Sequence, residues 1–427
     1  MLKSSAIFFL LFVTHLVFAQ RELSDKQWTE DLDYIIHRID SVHPGLCKND
    51  YRNVIYEKST KLKEKIPLLS DNEILIEIFK IIAVINDGHT RLHGKNLTKK
   101  WYPLRIEKFD DGYFITVTSI ELSEYIGAEV ITMNSQPIGL VFEKITGISP
   151  GDNINGKEYF VPMFMTMTSV LSGLHITGSE NDTLMIALKK DNIVQKLSVL
   201  PVEFESGQDL SWFWKDYGVP AANYSNILQS DSLLPDYLKN YNKPYWFKLN
   251  GKTIYFAFNS CENDEREEFH AFNTRLWKTI DSADADCLVI DLRNNFGGTN
   301  SILNPLLHEI IKHDKINQAG HLFLVTGKKT FSAAVDFTAW IEFHCNPIIV
   351  GEAAGAGPNH FADPDFSILP NSNNFLLVSK YFWQDSWPWD NRIYIEPSIK
   401  IGLSSVDYFS FSDPVVTRIK EYIRQGR

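Results

Sequence analysis

A chain of 427 residues is too long for one ordinary hydrophobic core, so two or three domains are expected. With 44% hydrophobic and 22% charged residues it has the composition of a folded globular protein. The formal net charge of −11, without any polybasic run, argues against a nucleic acid or an anionic membrane surface as partner.

At the N-terminus, Lys3 leads an apolar run from Ala6 to Phe18 that only Thr14 and His15 interrupt. Val17-Phe18-Ala19 follows the small-residue pattern of a cleavage site, so residues 1–19 read as a signal peptide and the mature chain as exported, periplasmic or extracellular. The run is shorter than the roughly 20 apolar residues that span a bilayer, and no later segment is long and apolar enough to do so. No cysteine lies near the cleavage point, so a lipoprotein is not indicated.

Residues 20–100 read as a helical domain. Ser24 with Gln27 makes a capping box, and Trp28, Leu32, Ile35, Ile36, Ile39 and Val42 recur at helical spacing until His43-Pro44-Gly45. A second box, Ser70 to Glu73, opens a helix with Ile74, Leu75, Ile78, Phe79 and Ile82 on one side; it ends in the polar turn Asn86-Asp87-Gly88-His89-Thr90. Residues 101–205 change to short strands, at 113–117, 128–133, 184–188 and 195–200, a β-rich texture of the kind that binds extended peptides by strand addition. Residues 206–245, with Trp212, Trp214, Pro220, Pro235 and Pro244, read as an irregular connector. Over 246–427 strands and helices alternate, which predicts a mainly parallel sheet covered on both faces. The fold class is therefore α/β and multidomain.

Cys47, Cys261, Cys287 and Cys345 show no C-x-x-C spacing, so neither a zinc knuckle nor a redox dithiol is expected. Cys287 and Cys345 lie in apolar strand-like runs and read as buried; one disulfide of unassigned pairing remains open. His308, His313 and His360 lack metal-ligand spacing and no H-E-x-x-H occurs, so no metal and no cofactor is expected.

Two strand-to-helix junctions carry the chemistry. Asp291-Leu292-Arg293-Asn294-Asn295-Phe296-Gly297-Gly298 follows an apolar strand, and consecutive glycines let a tight turn present backbone N–H groups. Thr326-Gly327-Lys328-Lys329-Thr330-Phe331-Ser332-Ala333 places a serine where the next helix's free N–H groups favour negative charge. Taken singly, the first junction also reads as a turn and the second as a helix cap.

Together, in this order, the junctions resemble those of the tail-specific or C-terminal processing serine peptidases, a family with tricorn-core and retinoid-binding-protein branches. The resemblance rests on "LVIDLRNNFGG" at 288–298, "FLVTGKKTFSAAVDF" at 323–337, "IIVGEAAGAGPNHF" at 348–361, "LPNS" at 369–372, "YIEPSIKI" at 394–401 and "VINDGHTRL" at 84–92. It implies a peptidase domain of the ClpP/crotonase-like type, with Ser332 as nucleophile and the N–H groups of Gly297 or Gly298 and of Ala333 as oxyanion hole. One branch uses a lysine base after the nucleophile's helix, but the equivalent stretch, Gly351 to Gly357, holds none, and Lys328 and Lys329 precede the serine. The tricorn-core branch uses a histidine, which His89 matches, although Gly88 stands where that branch has a serine. Asp390 falls near the family's C-terminal acidic residue and is the expected support for His89, with Glu396 as runner-up. Ile126 to Asn134 resembles a degenerate PDZ signature strand, with Glu129 in the acidic region and Ser135 where glycine is usual. The implied function is serine endopeptidase cleavage of unfolded or short peptides. The alternative on the same scaffold is non-catalytic binding of a peptide or apolar ligand, for which Trp383, Trp387 and Trp389 would suit a pocket. A histidine base implies an acid limb near pH 6–7.

Overall fold

Ser24 and Ser70 each accept the backbone N–H three residues on, and the side chains of Gln27 and Glu73 take the serine N–H in return. These boxes open α1 (Asp25–Val42) and, after α2 (Tyr51–Lys65), α3 (Asp71–Ile82), the first and third at their expected places. The computed structural model describes residues 21–46, 51–93, 99–203, 223–227 and 233–426. The expected signal peptide, Cys47 and most of the connector lie outside the described residues.

The inserted β region forms a seven-stranded antiparallel sheet that includes β1 (Leu104–Phe109), β2 (Gly112–Ser119) and β3 (Glu129–Met133), then β4 (Leu184–Lys190) and β5 (Ile193–Val199). Between β3 and β4 the strand texture breaks into helices, of which α4 (Ile154–Phe164) matters most. Asn153 caps it by accepting the Gly156 N–H, and Pro162 sits inside it. A proline there hides the helical pattern, because its ring normally ends a helix. One continuous apolar core joins α1 and α3 to the inserted sheet.

The C-terminal region is a six-stranded sheet. β6 (Tyr245–Asn250) is antiparallel to β7 (Thr253–Phe258); β8 (Cys287–Asp291), β9 (Leu322–Thr326), β10 (Ile348–Gly351) and the short strand Ile399–Lys400 continue it in parallel. Helices α5 (Phe269–Ser282), α6 (Asn304–Lys312) and α7 (Ala333–His344) bury one face, and α8 (Pro414–Arg424) packs on the other. All five residues of β8 and of β9 are buried, as strands covered on both faces require. After β10 the chain runs out into a long hairpin, Asn359–Ile368 with Phe375–Gln384, and Arg91–His93 adds to it as a third strand. The histidine turn is thereby sewn to the C-terminal region.

Cys261, Cys287 and Cys345 are free thiols. Cys345 is half-buried at the C-cap of α7 rather than inside a strand, since α7 runs through to His344.

Candidate active site

Ser332 stands at the N-cap position of α7, but its side chain makes no capping hydrogen bond. Its backbone has φ 54° and ψ −132°, a region that costs a side-chain-bearing residue about 1–3 kcal/mol. That backbone turns the hydroxyl away from the helix end and toward His89, whose Nε2 lies 3.1 Å from Ser332 Oγ across 243 residues of sequence. The cap reading of Ser332 is therefore not the one the geometry shows.

The loop before it is pinned at several points. Thr330 Oγ1 takes the Gly327 N–H at 3.0 Å and donates to the Leu292 carbonyl at 2.9 Å. The Phe331 N–H reaches the Asn295 carbonyl at 3.1 Å. The glycine turn thus lies against the nucleophile: a Cβ on Gly297, where φ is 102°, would stand 2.6 Å from Ser332 Cβ and 3.0 Å from the Ala333 nitrogen. Only glycine allows that approach. The Gly297 N–H, however, donates to Asn295 Oδ1 at 2.9 Å, and its carbonyl takes the Cys261 N–H. Gly297 therefore supplies closeness, and of the expected glycine donors Gly298 is the solvent-exposed one. Ala333 opens α7, where a helix leaves its first N–H groups without intrahelical partners.

The acidic residue expected beside His89 is elsewhere. Asp390 takes hydrogen bonds from Arg392 Nε at 3.0 Å and Ser386 Oγ at 2.7 Å, which hold its carboxyl down at about 2. Glu396 is exposed and pairs with Lys400. Both belong to local ion pairs, as their neighbours in sequence allow. The carboxylate at the histidine is Asp87, two residues before it.

Asp87 is fully enclosed. It accepts the His89 N–H at 2.9 Å, the Thr90 hydroxyl at 2.5 Å and the Ser379 hydroxyl at 2.6 Å. His43 Nδ1 accepts the Gly45 N–H, so its proton sits on Nε2, 3.2 Å from Asp87 Oδ2. Burial works against the charge, but these donors and the nearby His89 outweigh it and lower Asp87 to about 2. Asp87 Oδ1 lies 3.9 Å from His89 Nδ1, a charge–charge distance and not a hydrogen bond. The backbone of Phe361 also favours the protonated ring, though Nδ1 has no partner of good hydrogen-bond geometry among the described residues. Burial dominates His89 and pulls it to about 3. Asp87 opposes that shift, while His360 and Arg91 add to it.

Gly88 explains the absent serine. A Cβ there would meet Phe331 Cζ at 2.7 Å and Asp152 Oδ2 at 2.9 Å, and the Gly88 N–H already donates to Asp152 at 3.0 Å. Phe331 in turn stacks on His89, with ring centroids 4.4 Å apart.

Lys328 is paired with Glu158 at 2.9 Å and Glu352 at 3.7 Å. Burial lowers its basicity, but the two carboxylates win and raise it, the opposite of what a lysine base needs. Lys329 lies over the Tyr159 ring. Trp387 and Trp389 stack on each other and are 52% and 70% exposed, so they do not enclose a ligand pocket. No group of three or more His, Cys, Asp or Glu side chains suited to a metal occurs among the described residues.

Sequence reasoning missed His43, Ser379 and the role of Asp87. Asp87 stood in the quoted histidine run, whereas Ser379 carries no signal before the hairpin is folded.

A serine hydroxyl on a histidine nitrogen, beside a glycine turn at a strand-to-helix junction, is the arrangement of nucleophilic acyl transfer. Neither a family profile nor a curated protein sequence matches the chain. Among solved structures it resembles mature CPAF complexed with lactacystin, at 12% identity and a TM-score of 0.66, covering 94% of this chain and 99% of that one. A second structure of mature CPAF matches at 13% identity and 0.64, covering 94% and 98%. The tricorn protease matches at 12% and 0.43, over 94% of this chain and 37% of that one. The likeness to CPAF establishes the fold, a multidomain α/β architecture shared over nearly the whole length of both chains.

Proposed function

We propose that the protein is a serine peptidase in which Ser332 is the nucleophile and His89 the general base. The observation that carries this reading is the 3.1 Å approach of Ser332 Oγ to His89 Nε2, with the serine freed from capping by its left-handed backbone. Neutral His89 accepts the serine proton on Nε2 as Oγ attacks the peptide carbonyl carbon. The oxyanion forms against the N–H groups of Ala333 and Gly298, each such donor lowering the barrier by about 3 kcal/mol. Collapse expels the amine, which takes the proton from Nε2 and leaves an acyl-serine; water then repeats the sequence and releases the acid. The Asp87 charge favours the imidazolium that forms in both halves. The substrates are unfolded or short peptides, with the PDZ-like insert offering a strand edge, and the chain acts after export. No cofactor enters the chemistry.

A fluorophosphonate probe should label Ser332 covalently, as located by peptide mass spectrometry, and Ser332→Ala should abolish both labelling and peptide hydrolysis. Undiminished hydrolysis by Ser332→Ala would refute the assignment, and an unlabelled, inactive wild-type chain would favour a ligand-binding scaffold.

A further inference from the structure

Helix α4 and the residues just before it belong by sequence to the insert, yet they touch the histidine turn, the nucleophile loop and the glycine turn. Its N-terminus is locked to the C-terminal region: Asn153 Nδ2 donates to the Ala354 and Ile393 carbonyls, and Asn155 Nδ2 to that of Ala353. A Cβ on Gly156 would stand 2.6 Å from the Gly355 carbonyl oxygen, so the backbones themselves are in contact. Just before the helix Asp152 holds the Gly88 N–H, and within it Glu158 holds Lys328 of the nucleophile loop.

The next turn is aromatic. The Tyr159 ring lies 4.9 Å from that of Phe296, the residue before the glycine pair, and Phe160 lies edge-on to Phe296 at 6.1 Å. Phe296 continues to Phe331 at 5.0 Å, and Phe331 to His89 at 4.4 Å. Tyr159, Phe160 and Phe296 are only half-buried, so part of each aromatic side chain stays open to solvent. Tyr159 also borders a cleft of about 500 Å³ whose other walls carry Glu158, Lys328, Glu352 and Arg293. Two cations overlie the wall: the Arg91 guanidinium, which also donates to the Gly88 carbonyl, over Phe160, and Lys329 over Tyr159.

We propose that α4 supplies the side-chain subsite of the enzyme, and that Tyr159, Phe160 and Phe296 select a large apolar residue beside the scissile bond. This rests on the peptidase reading for its location, since the wall is attached to the oxyanion turn through Phe296 and to nucleophile and base through Phe331. An aromatic or large aliphatic side chain laid on the rings removes apolar surface from water on both partners. A lysine or arginine there would meet Arg91 and Lys329 and is excluded by like charge. The rigid seating of α4 means that the wall is formed before substrate arrives.

The test pairs cleavage with binding, so that the subsite and the chemistry fail separately. A peptide library varied at the residues on both sides of the cut is given to the wild-type chain. Peptides carrying Phe, Ala or Lys at the selected position are titrated against Ser332→Ala. We expect cleavage beside Phe, Tyr, Leu or Met, and binding to Ser332→Ala that ranks Phe over Ala over Lys. Tyr159→Ala and Phe160→Ala should cut the Phe-over-Ala preference, read as the ratio of kcat/KM for the two peptides, about 10-fold or more. Tyr159→Phe should keep the preference, which separates loss of the ring from loss of the fold. Cleavage with no apolar preference, or a preference that both alanine variants retain, overturns the subsite and leaves the peptidase reading standing. Phe-selective binding to Ser332→Ala without any wild-type cleavage supports the subsite and overturns the peptidase reading. Neither binding nor cleavage overturns both.

Discussion

The two halves of the proposed catalytic pair are positioned by different kinds of structure. Ser332 lies at a regular junction: β9 ends, six residues follow, and α7 begins. Its immediate supports, Thr330, Leu292, Asn295 and Gly297, come from the same sheet within 40 residues. His89 lies in an irregular turn whose supports arrive from His43, Asp152, Phe331 and Ser379. The serine side is a local consequence of the parallel sheet, whereas the histidine side exists only once three parts of the chain have met. Substitution of Ser332 itself should therefore act on chemistry alone, and substitutions at the histidine side on chemistry and assembly together.

The largest expected effect that sharpens this contrast is on His89→Ala, which should lower kcat by roughly 10² to 10⁴. The Asp87 network should come next. Asp87→Asn is expected to cost about 10²-fold in kcat/KM, because the anion that favours the imidazolium is lost, and also to lower Tm through its buried donors. Asp390→Asn should leave kcat/KM within about twofold, since Asp390 serves Arg392; the reverse ranking would return the supporting role to Asp390.

The pH profile is the third test. A base whose pKa is lowered stays neutral, and so competent, at more acid pH. Burial holds His89 near 3, so peptidase activity at pH 5 should remain close to its value at pH 7. This moves the acid limb below the 6–7 expected from an ordinary histidine. A midpoint at 6.5 in kcat/KM would mean that water or Asp87 solvates the ring better than the closed turn allows.

The smallest effects on catalysis concern neighbours of the nucleophile, which act on stability instead. Asp336, one turn into α7, is raised to about 8, first by burial and then by Asp385. Unfolded, it would release its proton near 4; folded, it keeps it. Stability should therefore fall as pH rises from 4 to 8, and Asp336→Asn should flatten that decline in Tm measured at pH 5 and pH 8. Lys328→Ala should lower Tm by a few degrees by stranding Glu352 and leaving Glu158 to Lys108 alone, yet leave kcat nearly unchanged.

The same contrast explains what could be read beforehand. β7, β8 and β9 stood out because strands buried on both faces are continuous apolar runs, and Ser332 and the glycine pair follow from where those runs stop. The capping boxes at Ser24 and Ser70 were legible because their partners lie three residues away. α4 was not, because Pro162 and an aromatic-rich turn imitate the surrounding β texture. Nor was Asp87 separable from a polar turn, since two of its partners, His43 and Ser379, become neighbours only through the helix end and the hairpin. The family resemblance points to Asp390, but Arg392 two residues on has the prior claim to it.

The hairpin sets an order on when the site can exist during synthesis. Arg91–His93 pairs with Phe375–Leu377, and Ser379 holds both Asp87 and Thr90. His89 is made early, Ser332 much later, and the strand that fixes the histidine turn later still. At about 5–20 residues per second, residue 379 follows residue 89 by roughly 15 to 60 seconds. A nascent chain that already displays the serine junction still lacks the strand that anchors His89, so on the proposed peptidase reading a chain that stops before residue 379 should be inactive.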